Sequence, residues 1–337
     1  MAINVGVIGT GNIGTEHVRR LSGEVSGARV GAVFDVDAER ARQVADSVGA
    51  TAHPKATDVI HDPAIDAVVI ASPGPLHAEQ TIACIAAGKP VLCEKPLATT
   101  TADSLEVIEA EVAHGQRLVQ VGFMRRFDAG YRVVKAAVDD GSVGEPLLLH
   151  CVHRNAAAPP GFTSDMVLTD SVIHEIDISR WLLGQEIVAT TVVATRSSPL
   201  AAEHLRDPQL VLLETETGAT VSVEVFVNCQ YGYDVRCEVV GSLGTVSLEN
   251  PTTGALTRDG QRRQPIPPDW RLRFGPAYHA ELQQWVTGLV GGTVGGPSCW
   301  DGYAATATAE VCVASLTDGG RTTVDLTERP ALYEEAP

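Results

Sequence analysis

The sequence predicts an α/β protein in which an N-terminal Rossmann-type, doubly wound parallel sheet is followed by an α/β domain with a large, mostly antiparallel open sheet. Three observations carry that expectation. The first is length: 337 residues make two domains the default at roughly 150 residues per domain. The second is the alternation of short β-rich runs with helical stretches over residues 3–121, the pattern of a parallel sheet wound with crossover helices. The third is a change of character after Phe123, where longer strands alternate. Val221, Val223, Val225 and Val227 fall on one face of such a strand, which marks it as half-buried. The domain boundaries expected are 1–122 and 123–337.

In the first domain the strand candidates are INVGVIG, RVGAVFD, DAVVIAS, PVLCE and RLVQVG. They lack strict alternation, as strands covered on both faces do. Between them, Ala38, Ala41, Val44, Ala45 and Val48 recur at helical spacing. In the second domain, residues 171–183, 277–289 and 301–316 read as helices, and 155–168, with two prolines and Gly161, as a loop.

Composition narrows the function classes. Apolar residues are 44% and charged residues 20%, the balance of an ordinary globular protein. The formal charge of −17 repels phosphate backbones and anionic headgroups, so nucleic acid and membrane partners are not expected. Seven cysteines with no C-x-x-C pair read as buried thiols in a reducing compartment. No basic leader opens the sequence and no run of 18 apolar residues occurs in it, so a cytoplasmic location is expected.

The segment VIGTGNIG places Gly9, Gly11 and Gly14 in G-x-G-x-x-G spacing between the first strand and the first helix. There Gly9 permits the tight turn, Gly11 lets a pyrophosphate approach the helix N-terminus, and Gly14 lets helix and strand pack closely. Asn12 and Ile13, between the glycines, are expected to touch the same cofactor. The second strand ends in Asp35, near the ~20-residue offset of the acid that binds an adenine ribose. A carboxylate there favours NAD and repels the 2′-phosphate of NADP; Asp37 adds to it, and Arg40, the nearby cation, is expected on the solvent face. A flavin fits the same fold, but the compact spacing favours a nicotinamide. Ser72, Pro73 and His77 follow the strand DAVVIAS, at the sheet end where the crevice lies. The same segment also reads as a plain helix start with proline in its first turn.

Two clusters carry chemistry. Cys93-Glu94-Lys95-Pro96 ends the next strand, and reads either as a charge pair facing the cofactor crevice or as a solvated pair before a strand-breaking proline. In LTDSVIHEIDISRWLLG, Asp170, His174, Asp177 and Trp181 share one helical stripe. Asp170 beside His174, near a helix start that favours the carboxylate, makes a tunable acid and base; an exposed i, i+4 ion pair is the plainer account. His174-Glu175 does not open a zinc motif, because Ile178 stands four residues on, and His150 and His153 fall on opposite faces of a strand, so no metal is expected.

With these residues in hand, the chain resembles, end to end, the glucose–fructose oxidoreductase, inositol dehydrogenase and rhizopine catabolism family. The pieces that carry the likeness are GTGNIG, ASPGPLH, CEKPLA, GFMRRFDAGY, HRN, LTDSVIHEIDISRWLLG, QYGYDVRCEVVG and AYHAELQQW. EKP marks the broad family, and TDSVIHEID with QYGYDVRCEVVG resembles its inositol branch. The resemblance implies NAD-dependent oxidation of a ring secondary alcohol of a cyclic polyol, myo-inositol ahead of scyllo-inositol, chiro-inositol or an aldose. It implies a catalytic group of Lys95, Asp170 and His174, cofactor contacts that include Glu94 and Lys95, and a homotetramer built on the open sheet. Substrate contacts are implied at those three catalytic residues and at Arg125, His153, Asn155 and Tyr233. The loop NAAAPPGFTSD carries no motif. A cofactor-bound sensor without turnover is the reading from another class, against which the complete trio argues.

Overall fold

Valine- and isoleucine-rich runs of four to seven residues, too short for buried helices, build the first sheet. Its strands are β1 (Ile3–Ile8), β2 (Ala28–Phe34), β3 (Thr51–Ala52), β4 (Ala67–Ile70), β5 (Val91–Glu94) and β6 (Val119–Gly122). All run parallel, in the order β3-β2-β1-β4-β5-β6. Helices α1 (Asn12–Gly23), α2 (Ala38–Val48), α3 (Ala56–His61), α4 (His77–Ala86) and α5 (Thr101–His114) make the crossovers. β4, β5 and β6 are buried at every position, which is why their sequences do not alternate. The two-residue β3 escapes sequence reading because two residues carry no period. The strand order turns back at β1 and β4, and ligands of such sheets bind outside the carboxyl ends at that reversal.

The structure, a computed structural model, describes residues 2–248 and 255–334. The chain divides into two units, the first made of Met1–Phe123, Tyr278–Thr306 and Thr327–Pro337, the second of Met124–Ala277 and Ala307–Leu326. The first unit is therefore discontinuous, where the sequence suggested one uninterrupted segment. Apolar packing explains the return of the chain: Leu282, Trp285 and Val286 join the core cluster of Val5, Val18 and Leu21. No helix of the described residues is long and apolar enough to cross a membrane.

The second unit starts with α6 (Ala129–Asp139), capped by Asp128, whose carboxylate accepts from the Gly130 and Tyr131 amides. Strand β7 (Pro146–Arg154) leads to a helical run containing α7 (Ser164–Met166) and α8 (Ile173–Leu183). Strands β8 (Ile187–Ala194), β9 (Gln209–Thr215), β10 (Thr220–Phe226), β11 (Asp234–Gly241) and β12 (Thr245–Leu248) follow, then the hairpin β13 (Leu256–Arg258) and β14 (Gln261–Arg263). Helices α9 (Trp270–Val290) and α10 (Cys299–Asp318) precede β15 (Arg321–Thr323). The sheet order is β12-β11-β7-β10-β9-β8-β15. Only the β7–β10 pair is parallel among these pairings; the others are antiparallel. Val221, Val223, Val225 and Val227 are fully buried, as their alternation requires.

Two helix boundaries depart from the expectation. The segment read as a loop to residue 168 is already helical at Ser164, because the Thr163 side chain caps it by accepting from the Met166 amide. A π-helical turn over Val167–Val172 then joins it to α8. Asp170 thus lies inside a helical run and not at its positive end, so the helix dipole gives its carboxylate no special support. The second departure is α9, which starts at Trp270 and continues through Pro276, where the sequence reads a helix only from residue 277.

Candidate active site

The glycine turn meets two different steric demands. Gly9 has φ +91°, and a Cβ there would lie 2.4 Å from the Ala71 carbonyl oxygen. A Cβ on Gly14 would lie 1.9 Å from the Gly9 carbonyl oxygen, so α1 can sit against β1 only if this residue is glycine. Gly11 differs, because a Cβ there meets no atom within 4 Å. Its bare backbone leaves space at the N-terminus of α1, and Gly11 gives that helix no side-chain cap. The amides of the first turn, at Asn12 and Ile13, are thereby left to an anion. A dinucleotide pyrophosphate fits this cradle.

Asp35, buried at the end of β2, is held by three neighbours. Its Oδ2 accepts from the Thr10 amide at 2.7 Å and the Thr10 hydroxyl at 3.0 Å. Its Oδ1 accepts from the Asp37 amide at 2.9 Å and Arg40 Nη2 at 2.6 Å. Arg40 is exposed, as expected, and from the solvent face it turns back onto Asp35. Burial works against the carboxylate's charge, but the Arg40 guanidinium and the Asp37 and Thr10 amides hold its pKa below the ordinary value. Asp35 is thus an anchored anion at the position expected to meet the adenosine ribose.

The turns after β4 and β5 carry the other expected cofactor contacts. Ser72 is half-buried, its hydroxyl donating to Gln80 Oε1 at 2.7 Å, and Pro73 is exposed. His77 is buried, with Nδ1 2.6 Å from the Pro96 carbonyl oxygen and Nε2 2.8 Å from that of Ser72. Glu94 is buried too, and its Oε1 lies 2.7 Å from Nε2 of His17. The Glu94 carboxylate can only accept, so Nε2 of His17 donates to it, while Nδ1 has no partner among the described residues. A Cβ on Gly122 would come within 2.9 Å of Glu94 Oε2, so that glycine makes room for the carboxylate. The plainer account of a solvated Glu94-Lys95 pair fails for Glu94, and half-buried Lys95 follows a rigidly held residue. Sequence reading missed His17; its signal is the position three residues past Gly14, on the same face of α1.

In the second unit α8 is buried almost all round, and its charged residues are paired. His174 is buried and Asp170, four residues earlier in the π-helical turn, is half-buried, so the two are not an ordinary exposed ion pair. Glu175, also missed, organises the expected substrate residues. Its Oε1 accepts from Arg125 Nη1, and its Oε2 lies 2.9 Å from Nδ1 of His153. Arg125, Glu175 and His153 are 1%, 1% and 3% exposed. Burial opposes the charge of Glu175, but Arg125 and His153 hold its pKa below the usual carboxylate value. The next acid on the helix, Asp177, receives Arg126 through Nε at 3.0 Å. The Tyr233 ring meets His153 edge-on at 5.9 Å, and its amide donates to the Pro267 carbonyl at 2.6 Å. Asn155, just past β7, is tied by its backbone to Phe226 and Cys229, while its buried Oδ1 has no partner among the described residues. The structure thus gathers Arg125, His153 and Tyr233 around Glu175, and fixes Asn155 at the end of the strand that carries His153.

Comparison with known proteins matches two family models: "Oxidoreductase family, NAD-binding Rossmann fold" over residues 3–123, and "Oxidoreductase family, C-terminal alpha/beta domain" over residues 135–326. The chain is 54% identical over 333 residues to inositol 2-dehydrogenase 3 of Saccharopolyspora erythraea, covering 99% of this chain and 98% of that one. It is 47% identical to inositol 2-dehydrogenase of Azotobacter vinelandii, with 100% of each covered. Among solved structures, myo-inositol dehydrogenase of Lactobacillus casei in complex with NAD(H) and myo-inositol superposes with a TM-score of 0.96 at 35% identity, covering 99% of this chain and 100% of that one.

Two predictions follow from this geometry. Replacing Asp35 by alanine removes the anchored anion, so Asp35→Ala weakens NAD binding and narrows the preference over NADP, as titration with each cofactor will read; an unchanged preference places the ribose contact elsewhere. Glu175→Gln leaves Arg125 buried without its counter-charge, a loss of about 3–5 kcal/mol in urea denaturation at pH 7. Because the folded carboxyl sits below its ordinary 4.5, the charge contributes fully above that value and is lost as pH falls through the depressed one. The stability gap between the two proteins should therefore narrow on acidification, and a constant gap contradicts the assignment.

Proposed function

Because the chain belongs to the oxidoreductase family that joins an NAD-binding Rossmann fold to a C-terminal α/β domain, we propose that it is an NAD-dependent dehydrogenase oxidising a ring secondary alcohol of a cyclic polyol, myo-inositol, to the ketone. The observation that carries this reading is the full-length likeness to a myo-inositol dehydrogenase solved with NAD(H) and myo-inositol. The full-length identity to inositol 2-dehydrogenases supports the same substrate class. The anchored Asp35, opposed to a 2′-phosphate, supports NAD.

In this proposal residues 1–122 and the segments that return to them hold NAD, while the second unit holds the polyol and builds the oligomer. Loss of hydride from the carbinol carbon and of a proton from its hydroxyl leaves the ketone. NAD, when bound, supplies the hydride acceptor at C4 of its nicotinamide. His174 takes the hydroxyl proton as general base, and Asp170 orients the ring and stabilises the imidazolium. Lys95 donates to the reacting oxygen and holds the negative charge that develops there. Asn155 offers its Oδ1 to a polyol hydroxyl. Arg125, His153 and Tyr233 bind the ring hydroxyls, and Glu175 keeps Arg125 and His153 in place.

The outer face of the seven-stranded sheet supports a homotetramer. Leu148 and Val193 are 39% and 44% exposed there, apolar side chains suited to a second copy of the chain. Seven free thiols support a cytoplasmic setting.

Turnover tests the catalytic reading. With NAD, reduced-cofactor absorbance should rise on myo-inositol. His174→Ala should lower kcat by roughly 10²–10⁴-fold with NAD binding retained. Lys95→Ala should lose as much or more, since stabilisation and orientation go together; a rise in KM alone would demote Lys95 to binding. Activity confined to scyllo-inositol, chiro-inositol or an aldose overturns the substrate, and NAD binding without turnover on any of them points to a sensor. For the assembly, sedimentation equilibrium should return the mass of four chains and a smaller one for Leu148→Glu; a wild-type monomer refutes the tetramer.

A further inference from the structure

We infer that His77 is held as an imidazolium whose two N–H groups clamp the turn after β4 to the turn after β5, making it the positioning residue for the backbone that carries Lys95. The inference rests on the reading of Lys95 given above only in its functional half. The protonation half stands on the geometry of the first unit.

Both ring nitrogens of His77 face backbone carbonyl oxygens, Pro96 O at 2.6 Å from Nδ1 and Ser72 O at 2.8 Å from Nε2. A carbonyl oxygen has lone pairs and no hydrogen, so it can only accept. Each nitrogen must therefore donate, and a neutral imidazole has a single N–H. In the neutral ring, whichever nitrogen lacked hydrogen would press its lone pair against a carbonyl lone pair, in a residue only 2% exposed. Such an unmade contact is costly in a buried place. Turning the ring over does not help, because carbons would then face both oxygens. The charged ring satisfies both acceptors at once.

The groups around the ring agree. On β5 the Cys93 thiol bears on it. The Ser72 hydroxyl is turned to Gln80, the Glu94 carboxylate to His17, and Glu79 on its own helix is exposed. Burial works against the charge, but Cys93 and the Pro96 and Ser72 carbonyls outweigh it and push the ring up to about 9. The two carbonyls belong to the turns at the carboxyl ends of β4 and β5, and Lys95 immediately precedes the anchored Pro96. A Cβ on Gly74 would lie 3.6 Å from the Pro96 ring, so the two turns run close together and the imidazolium closes them from below the surface. His77 thus has no ring nitrogen left for the cofactor. It acts through the turns.

The direct test is neutron diffraction from deuterium-exchanged crystals of the full chain near neutral pD. Deuterium on both His77 nitrogens is the expected result, and deuterium on one alone overturns the inference. Thermal denaturation of the wild type and of His77→Gln and His77→Phe between pH 6 and 9.5 gives an independent reading. A ring whose folded value is raised from 6.5 to about 9 contributes fully below the lower value and loses that contribution as pH rises through the higher. The gap in Tm between wild type and His77→Phe should close across that window, whereas a pH-independent gap indicates packing alone and overturns the clamp. At neutral pH, kcat of a folded His77 variant should fall about 10- to 100-fold with KM for NAD within about threefold, and His77→Gln, which keeps one donor, should recover part of the loss. Unchanged kcat removes the positioning role. Loss of activity in Lys95→Ala tests the underlying reading separately, because neither the diffraction nor the melting result depends on turnover.

Discussion

The close approach of α1 to β1 is the constraint on which the cofactor half of the molecule depends. Gly14 lies so near the Gly9 carbonyl that no side chain fits between them, and this contact fixes where the rest of α1 runs. His17, one turn further on, is carried to Glu94 at the end of β5. Thr10, inside the same turn, is carried to Asp35 at the end of β2. A single steric contact therefore places the ends of three strands around one helix N-terminus. That the N-terminus has no side-chain cap is part of the same arrangement, because a capping oxygen would occupy the amides meant for an anion.

Burial of charge is the theme of the second unit. α8 carries Glu175, Asp177 and Arg180, and each is matched by an opposite charge, Arg125, Arg126 and Glu186. Pairs of this kind contribute little net stability, since desolvation offsets their attraction, but they penalise any packing in which one partner is missing. Here they specify how the helix, the strand bearing His153 and the segment bearing Arg125 and Arg126 come together. The π-helical turn ahead of α8 adds a local departure from regular helix where Asp170 lies, and such turns recur at functional sites.

Much of this was legible in the sequence. Wherever the controlling physics is local or periodic, the reading and the structure agree: the glycine spacing, the buried parallel strands, the alternating face of β10, and Asp35 at the end of β2. The disagreements share a different cause. The helical run began earlier than expected because the hydroxyl of Thr163 reaches a nearby amide, a contact that periodicity does not register. Arg40 is the surface cation the sequence suggests, but its pairing with Asp35 appears only once the fold brings the two together. His17 and Glu175 were given no part in the site, because their importance comes from partners 77 and 22 residues away in the chain.

By itself, then, the sequence determined the fold class, the dinucleotide turn and the residue types from which a site could be built, because these follow from backbone sterics and from the periods of helix and strand. The tertiary structure decided which charges meet, which histidine nitrogens must carry hydrogen, and which distant segments return to the first core. Those outcomes depend on partners far apart in the chain and on the exclusion of water around them, and neither is set until the chain has packed.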